Sequence, residues 1–183
     1  MTKHGSWFSG QGSGGRGQQE TVTPDRKEIA VGMADIKIGK APAMISTILG
    51  SCIAVCLYSS KDKTGGLLHL MMASSKGASK INNFKKAKYA DTGILELLGQ
   101  LKNFYGLNQR SLVAKIFGGA KVLKNVTAPI GENNQQAVKE ILKENGIAIF
   151  ASKLGGEKGY RIKFDLETGK VKCQIFGHEF EEY

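Results

Sequence analysis

A chain of 183 residues, 41% hydrophobic and 23% charged, is globular and holds enough apolar material for the core of one ordinary domain. Its formal net charge of +10 draws it toward acidic partners, yet no dense Arg/Lys block with interleaved aromatics marks a nucleic-acid groove. No apolar run approaches the roughly 18 residues of a membrane span, no signal-peptide core opens the chain, and three cysteines without Cys-x-x-Cys spacing, beside scattered histidines, make neither a disulfide framework nor a zinc site and suit a reducing cytoplasm.

Residues 1–28 read as a flexible leader. Stretches such as Gly12-Ser13-Gly14-Gly15 carry too little apolar surface to offset the entropy of ordering them. The folded domain is expected over 29–183. Ala30 to Ile38 alternates loosely and predicts a strand, Pro42 lies in the turn after it, and Met44 to Ile48 is a further short strand. Cys52 to Tyr58 is strongly β. Ile53, Val55 and Leu57 fall on one face and Ala54, Cys56 and Tyr58 on the other, so this strand is expected to be central and covered on both sides. Ser59 to Gly66 reads as a turn and Leu67 to Met72 as the returning strand of a hairpin.

Ser74 to Asn83 is a polar loop, and four lysines between Lys80 and Lys88 form the densest basic patch. Ile94, Leu97, Leu98, Leu101 and Tyr105 follow helical spacing, which predicts a helix over about 87–105 ended at Gly106. Leu112 to Phe117 is a strand stopped by Gly118-Gly119. Gly131 to Asn134 resembles an N-cap region ahead of a second helix, with Ala137, Val138, Ile141 and Leu142 inward. Ile147 to Ser152 is a strand, and Tyr160 to Leu166 with Lys170 to Phe176 form a hairpin. Neither Gly118-Gly119 nor Gly155-Gly156 fits a phosphate-loop pattern.

The chemistry points to Gly50-Ser51-Cys52. Small residues ahead of a cysteine let a thiol stand at an open edge, where a nucleophile is useful. A cysteine in an apolar run also reads as a small buried hydrophobe, and that is the reading for Cys56 and Cys173. If the hairpin closes antiparallel, the start of its first strand meets the end of its second. Cys52 and His69 then share one region, and His69 becomes a candidate base as well as a candidate core histidine.

Six separated blocks, in order, resemble the CheD family of chemoreceptor glutamine deamidases. They are Leu49-Gly50-Ser51-Cys52-Ile53-Ala54-Val55, His69-Leu70-Met71, Lys88-Tyr89-Ala90-Asp91, Ala114-Lys115-Ile116-Phe117-Gly118-Gly119-Ala120, Ile130-Gly131-Glu132-Asn133-Asn134, and Gly155 to Phe164 with Thr168-Gly169-Lys170-Val171. Met72-Ala73 departs from the Leu-Pro frequent in the family. The resemblance implies an α/β fold, a single-domain layered α/β/β sandwich of mixed sheets similar to the catalytic domain of cytotoxic necrotizing factor toxins. It implies a protein-glutamine glutaminase that converts receptor glutamines to glutamate and releases ammonia, without metal or organic cofactor. The family's nucleophile falls on Cys52, its base on His69 and its third catalytic residue on Thr47, with Ser46 as the alternative. The implied partners are cytoplasmic domains of chemoreceptors and the phosphatase CheC, with no nucleic acid and no membrane insertion. Competing readings are a CheC-binding adaptor with little deamidase activity, another cysteine amidase or transglutaminase-like enzyme, and a basic nucleic-acid-binding domain.

Overall fold

The computed structural model describes residues 27–78, 83–122 and 128–183, and the expected leader up to residue 26 lies outside them. In chain order the elements are β1 (Lys27–Ala30), β2 (Asp35–Lys40), β3 (Ala43–Leu49), β4 (Ile53–Ser59), β5 (Thr64–Leu70), α1 (Ala90–Tyr105), β6 (Val113–Gly118), α2 (Ile130–Glu144), β7 (Ile149–Leu154), β8 (Tyr160–Asp165), β9 (Val171–Ile175) and β10 (Phe180–Glu182). Two five-stranded sheets result, with orders β1-β3-β8-β9-β10 and β2-β5-β4-β6-β7. Each is mixed: β1–β3 and β6–β7 run parallel and the other neighbours antiparallel.

The alternation in β4 explains the layering. Ile53, Val55 and Leu57 pack with Ile94, Leu97 and Leu101 of α1 and Val138 and Leu142 of α2. Ala54, Cys56 and Tyr58 pack instead against Ile45, Ile162 and Phe164 of the other sheet. Every β4 residue is buried, as a central strand between two apolar layers requires. The order is therefore helices, sheet, sheet. The second sheet alternates buried and more exposed residues in β3 and β8, since its far face meets solvent.

Four expectations are corrected. Ala30 to Ile38 is not one strand: β1 and β2 lie in different sheets, and the chain turns between them with Ala34 at φ 53°. Gly65 and Gly66 are not turn residues but lie in β5. A Cβ on Gly65 would sit 2.4 Å from the Leu57 carbonyl oxygen, and one on Gly66 2.7 Å from Leu97 Cδ1, so close packing explains these glycines. Tyr105 is 39% exposed and leaves the core stripe of α1, which begins only at Ala90 after a short 3₁₀ turn over Lys86–Lys88. The second helix starts at Ile130, so Asn133 and Asn134 lie within it and do not cap it. The short strand β10 has no counterpart in the sequence reading, and β1 begins two residues before the expected domain start.

Candidate active site

One end of the interface between the sheets is polar. His69 and Thr47 are buried there, 2% and 6% exposed. Leu67 faces the other sheet, and His69, two residues further along β5, faces the same way. Thr47 projects from β3 toward it, and its Oγ1 lies 2.8 Å from His69 Nδ1. Ser46, the alternative third residue, sits on the opposite face of β3 and is less buried. Thr47 Oγ1 also donates to the Val31 carbonyl at 2.8 Å.

These two contacts define the histidine tautomer. A hydroxyl has one proton, and a carbonyl only accepts. With that proton on the Val31 carbonyl, Thr47 Oγ1 must accept from His69 Nδ1–H. Nε2 is then the basic nitrogen, and it is buried without a hydrogen-bond partner. Leaving a buried acceptor unmade costs about 1–3 kcal/mol, which makes the atom a functional candidate and not a structural convenience. Burial lowers the His69 pKa from 6.5 to about 4, and the Asp35 carboxylate opposes this only in part. The imidazole is therefore neutral at neutral pH.

Cys52 directly precedes β4. Ala54 pairs with His69 across β4 and β5, so Cys52, two residues earlier, falls diagonal to His69 on the same face. Diagonal cross-strand neighbours are roughly 7 Å apart. Cys52 is partly exposed and packs against the inter-sheet core, whereas Cys56 and Cys173 are buried within it. Burial raises the Cys52 pKa above 9.0, and its own backbone N–H, bonded to the sulfur, pulls it partway back. The resting pair is thus a thiol and a neutral imidazole.

The turn carrying Cys52 is held by its carbonyls. Gly119 N–H donates to the Cys52 carbonyl at 2.8 Å and Ala120 N–H to the Gly50 carbonyl at 2.9 Å. Gly118, at φ 106°, allows this approach: a Cβ there would stand 2.4 Å from the Cys52 carbonyl oxygen. The middle carbonyl, of Ser51, accepts from Asn134 Nδ2 of α2 at 3.2 Å. Thr47 and His69 line a cavity of about 540 Å³ together with Met33, Ile48, Glu28, Arg161 and Lys163, and Cys52 is not among its lining residues. No group of three or more potential metal ligands occurs among the described residues.

A family model described as CheD chemotactic sensory transduction matches residues 71–175. The chain is 41% identical over 156 residues to a probable chemoreceptor glutamine deamidase CheD of Desulforamulus reducens, covering 82% of this chain and 92% of that one. It is 42% identical over 158 residues to a protein of the same name from Clostridium botulinum, covering 84% and 96%. The chain belongs to the CheD family. The family-model match begins at Met71, beyond Thr47, Cys52 and His69, so it and the geometry of these three residues are separate observations. In this CheD-family chain, the three residues singled out in the sequence, Cys52, His69 and Thr47, lie at one end of the inter-sheet interface, whereas the sequence carried no indication of what Asn134 and Gly118-Gly119 touch. Their only signal was membership of two matching blocks, and the glycine pair was read as a strand stop. No helix among the described residues is long and apolar enough to cross a membrane.

Proposed function

We propose that this protein hydrolyses glutamine side-chain amides of chemoreceptors to glutamate, with Cys52 as nucleophile, His69 as base and Thr47 orienting the imidazole. The unpartnered Nε2 of His69, on the face it shares with Cys52, carries the reading. The names of the CheD relatives supply the substrate.

The pKa values bear on how the thiol is activated. Burial raises the Cys52 thiol and lowers the His69 imidazole, so both shifts work against a standing thiolate–imidazolium pair. Proton transfer to Nε2 therefore accompanies attack of sulfur on the amide carbon. The C–S bond forms, the carbonyl electrons move to oxygen, and backbone N–H groups beside Cys52 would stabilise that oxyanion, a contribution typically of about 3–4 kcal/mol per donor. His69 then returns the proton to the departing nitrogen, and ammonia leaves a thioester. Water, deprotonated at Nε2, cleaves the thioester to glutamate and the free thiol. Thr47 keeps the Nδ1–H tautomer throughout.

Arg161 and Lys163 outnumber Glu28 in the cavity lining, and with a net charge of +10 this favours an acidic receptor surface. The same reading carries the expected likeness to the cytotoxic necrotizing factor domain. The test is the intact mass of a chemoreceptor cytoplasmic fragment after incubation with the protein, beside a Cys52→Ala control. The expected result is a gain of about one dalton per modified site, absent in the control. An unchanged mass with a competent fragment overturns the assignment.

A further inference from the structure

Two chain segments must keep a fixed separation for the proposed chemistry: the turn that carries Cys52 and the end of β5 that carries His69. The β4–β5 ladder closes at the Ile53–Leu70 pair, so Cys52 and Met71 lie just beyond its last pairing. At that point a single side chain bridges the gap. Asn134 Nδ2 donates to the Ser51 carbonyl at 3.2 Å and to the Met71 carbonyl at 2.9 Å. Ser51 adjoins Cys52, and Met71 is two residues from His69. Asn134 is 1% exposed, in the first turns of α2, while its helix neighbours Glu132 and Asn133 are exposed.

We infer that Asn134 is a positioning residue: its amide ties the nucleophile turn to the histidine strand and sets the separation of Cys52 from His69. This rests on the proposed roles of those two residues. An asparagine amide suits the task because it has two donor hydrogens on one nitrogen, one for each carbonyl. An aspartate of the same shape has no donor and would turn a carboxylate toward both carbonyls. The site also needs a buried polar group in a helix that otherwise packs with apolar residues such as Val138 and Leu142, a cost justified by the two bonds it makes. The Gly119 and Ala120 bonds hold the turn to the end of β6. Only the Asn134 bridge, among the described side chains, joins it to the β5 end.

The test compares wild type, Cys52→Ala, Asn134→Ala and Asn134→Gln, each first checked for folding by circular dichroism. With receptor fragment as substrate, Asn134→Ala is expected to lower kcat about 100-fold, with KM within about 2-fold, as a misplacement near 1 Å does. Asn134→Gln keeps the amide but adds one methylene at a buried position and so moves the donor, and is expected to lose about 10-fold. The pH profile of Cys52 alkylation by iodoacetamide is read in parallel, without receptor. A shifted thiol pKa in Asn134→Ala supports positioning, because a purely structural role lowers only the melting temperature. A folded Asn134→Ala or Asn134→Gln with wild-type kcat and an unmoved alkylation profile overturns the inference. If Asn134→Ala does not fold, Asn134→Gln decides on the same two readouts. Wild type inactive on the fragment defeats the deamidase reading instead. Wild type active with Cys52→Ala inactive and both Asn134 variants at full rate defeats only the positioning role.

Discussion

Thr47 and His69 belong to different sheets and are 22 residues apart in the chain, yet Thr47 Oγ1 lies 2.8 Å from His69 Nδ1. The same hydroxyl caps the end of β1 through the Val31 carbonyl. One side chain thus joins the two sheets and selects which imidazole nitrogen is basic. Thr47→Val keeps the shape and removes the hydroxyl, so it leaves Nδ1–H without its acceptor and frees the ring. Its kcat on receptor fragment is expected to fall about 100-fold, with Thr47→Ser recovering most of it. Steady-state kinetics of the two variants check this, and equal rates for Thr47→Val and wild type would remove Thr47 from the mechanism.

The pH dependence of activity follows from a neutral resting pair. An ordinary imidazole would lose about 10-fold of its basic form between about pH 7.5 and about pH 5.5. His69, lowered to about 4, keeps its basic form across that range. We expect kcat/KM to change less than about 2-fold there. Cys52 alkylation should meanwhile rise only toward alkaline pH, because burial pushes the thiol up. Rapid alkylation at acid pH would instead reveal a standing thiolate and contradict the concerted transfer.

The same lowered pKa makes the fold acid-sensitive. Unfolded His69 takes a proton below 6.5, but the folded residue takes one only below about 4. Between these values the unfolded state holds more protons, so stability falls as pH falls through the window, by up to about 3 kcal/mol. Urea unfolding at about pH 7.5 and about pH 4.5 should show wild type losing about 2 kcal/mol more than His69→Asn. Parallel losses in the two proteins would show that His69 does not carry the effect.

Two glycines should respond to alanine with opposite signs. Gly118 is at φ 106° with the Cys52 carbonyl oxygen 2.4 Å from a Cβ position. Gly118→Ala is expected to destabilise by about 2 kcal/mol or more and to abolish activity, since the alanine pushes against the backbone of the nucleophile turn. Gly99 lies in α1 with nothing within 4 Å of its Cβ position, so Gly99→Ala is expected to stabilise by about 0.5–1 kcal/mol and leave activity unchanged. Denaturant unfolding of both variants reads the two signs, and a neutral Gly118→Ala would mean the turn is not held as described.

Much of the architecture was legible because it is local. The two apolar faces of Ile53 to Tyr58 follow from alternation alone, and both are covered in the fold. The hairpin that brings the Cys52 and His69 regions together follows from two β runs joined by Lys61-Asp62-Lys63. Gly106 ends α1 in the left-handed conformation expected of a terminal glycine. The failures are as instructive. Ala30 to Ile38 looked like one strand because alternation persists through a turn that sends the chain to the other sheet. Gly65 and Gly66 looked like a turn because composition does not reveal that Leu57 and Leu97 press against them.

Period-two alternation and turn chemistry act over neighbouring residues, so the family blocks, the central strand and the pairing of a cysteine region with a histidine region can be read from the chain before it folds. Packing between layers is what brings Thr47 and not Ser46 to His69, leaves Nε2 as the unpartnered nitrogen, and lets Asn134 reach both Ser51 and Met71. The hydrogen bonds among them join residues 22 to 83 positions apart. The opposed pKa shifts of Cys52 and His69 belong to the same class, since they arise from how much water the packed layers exclude.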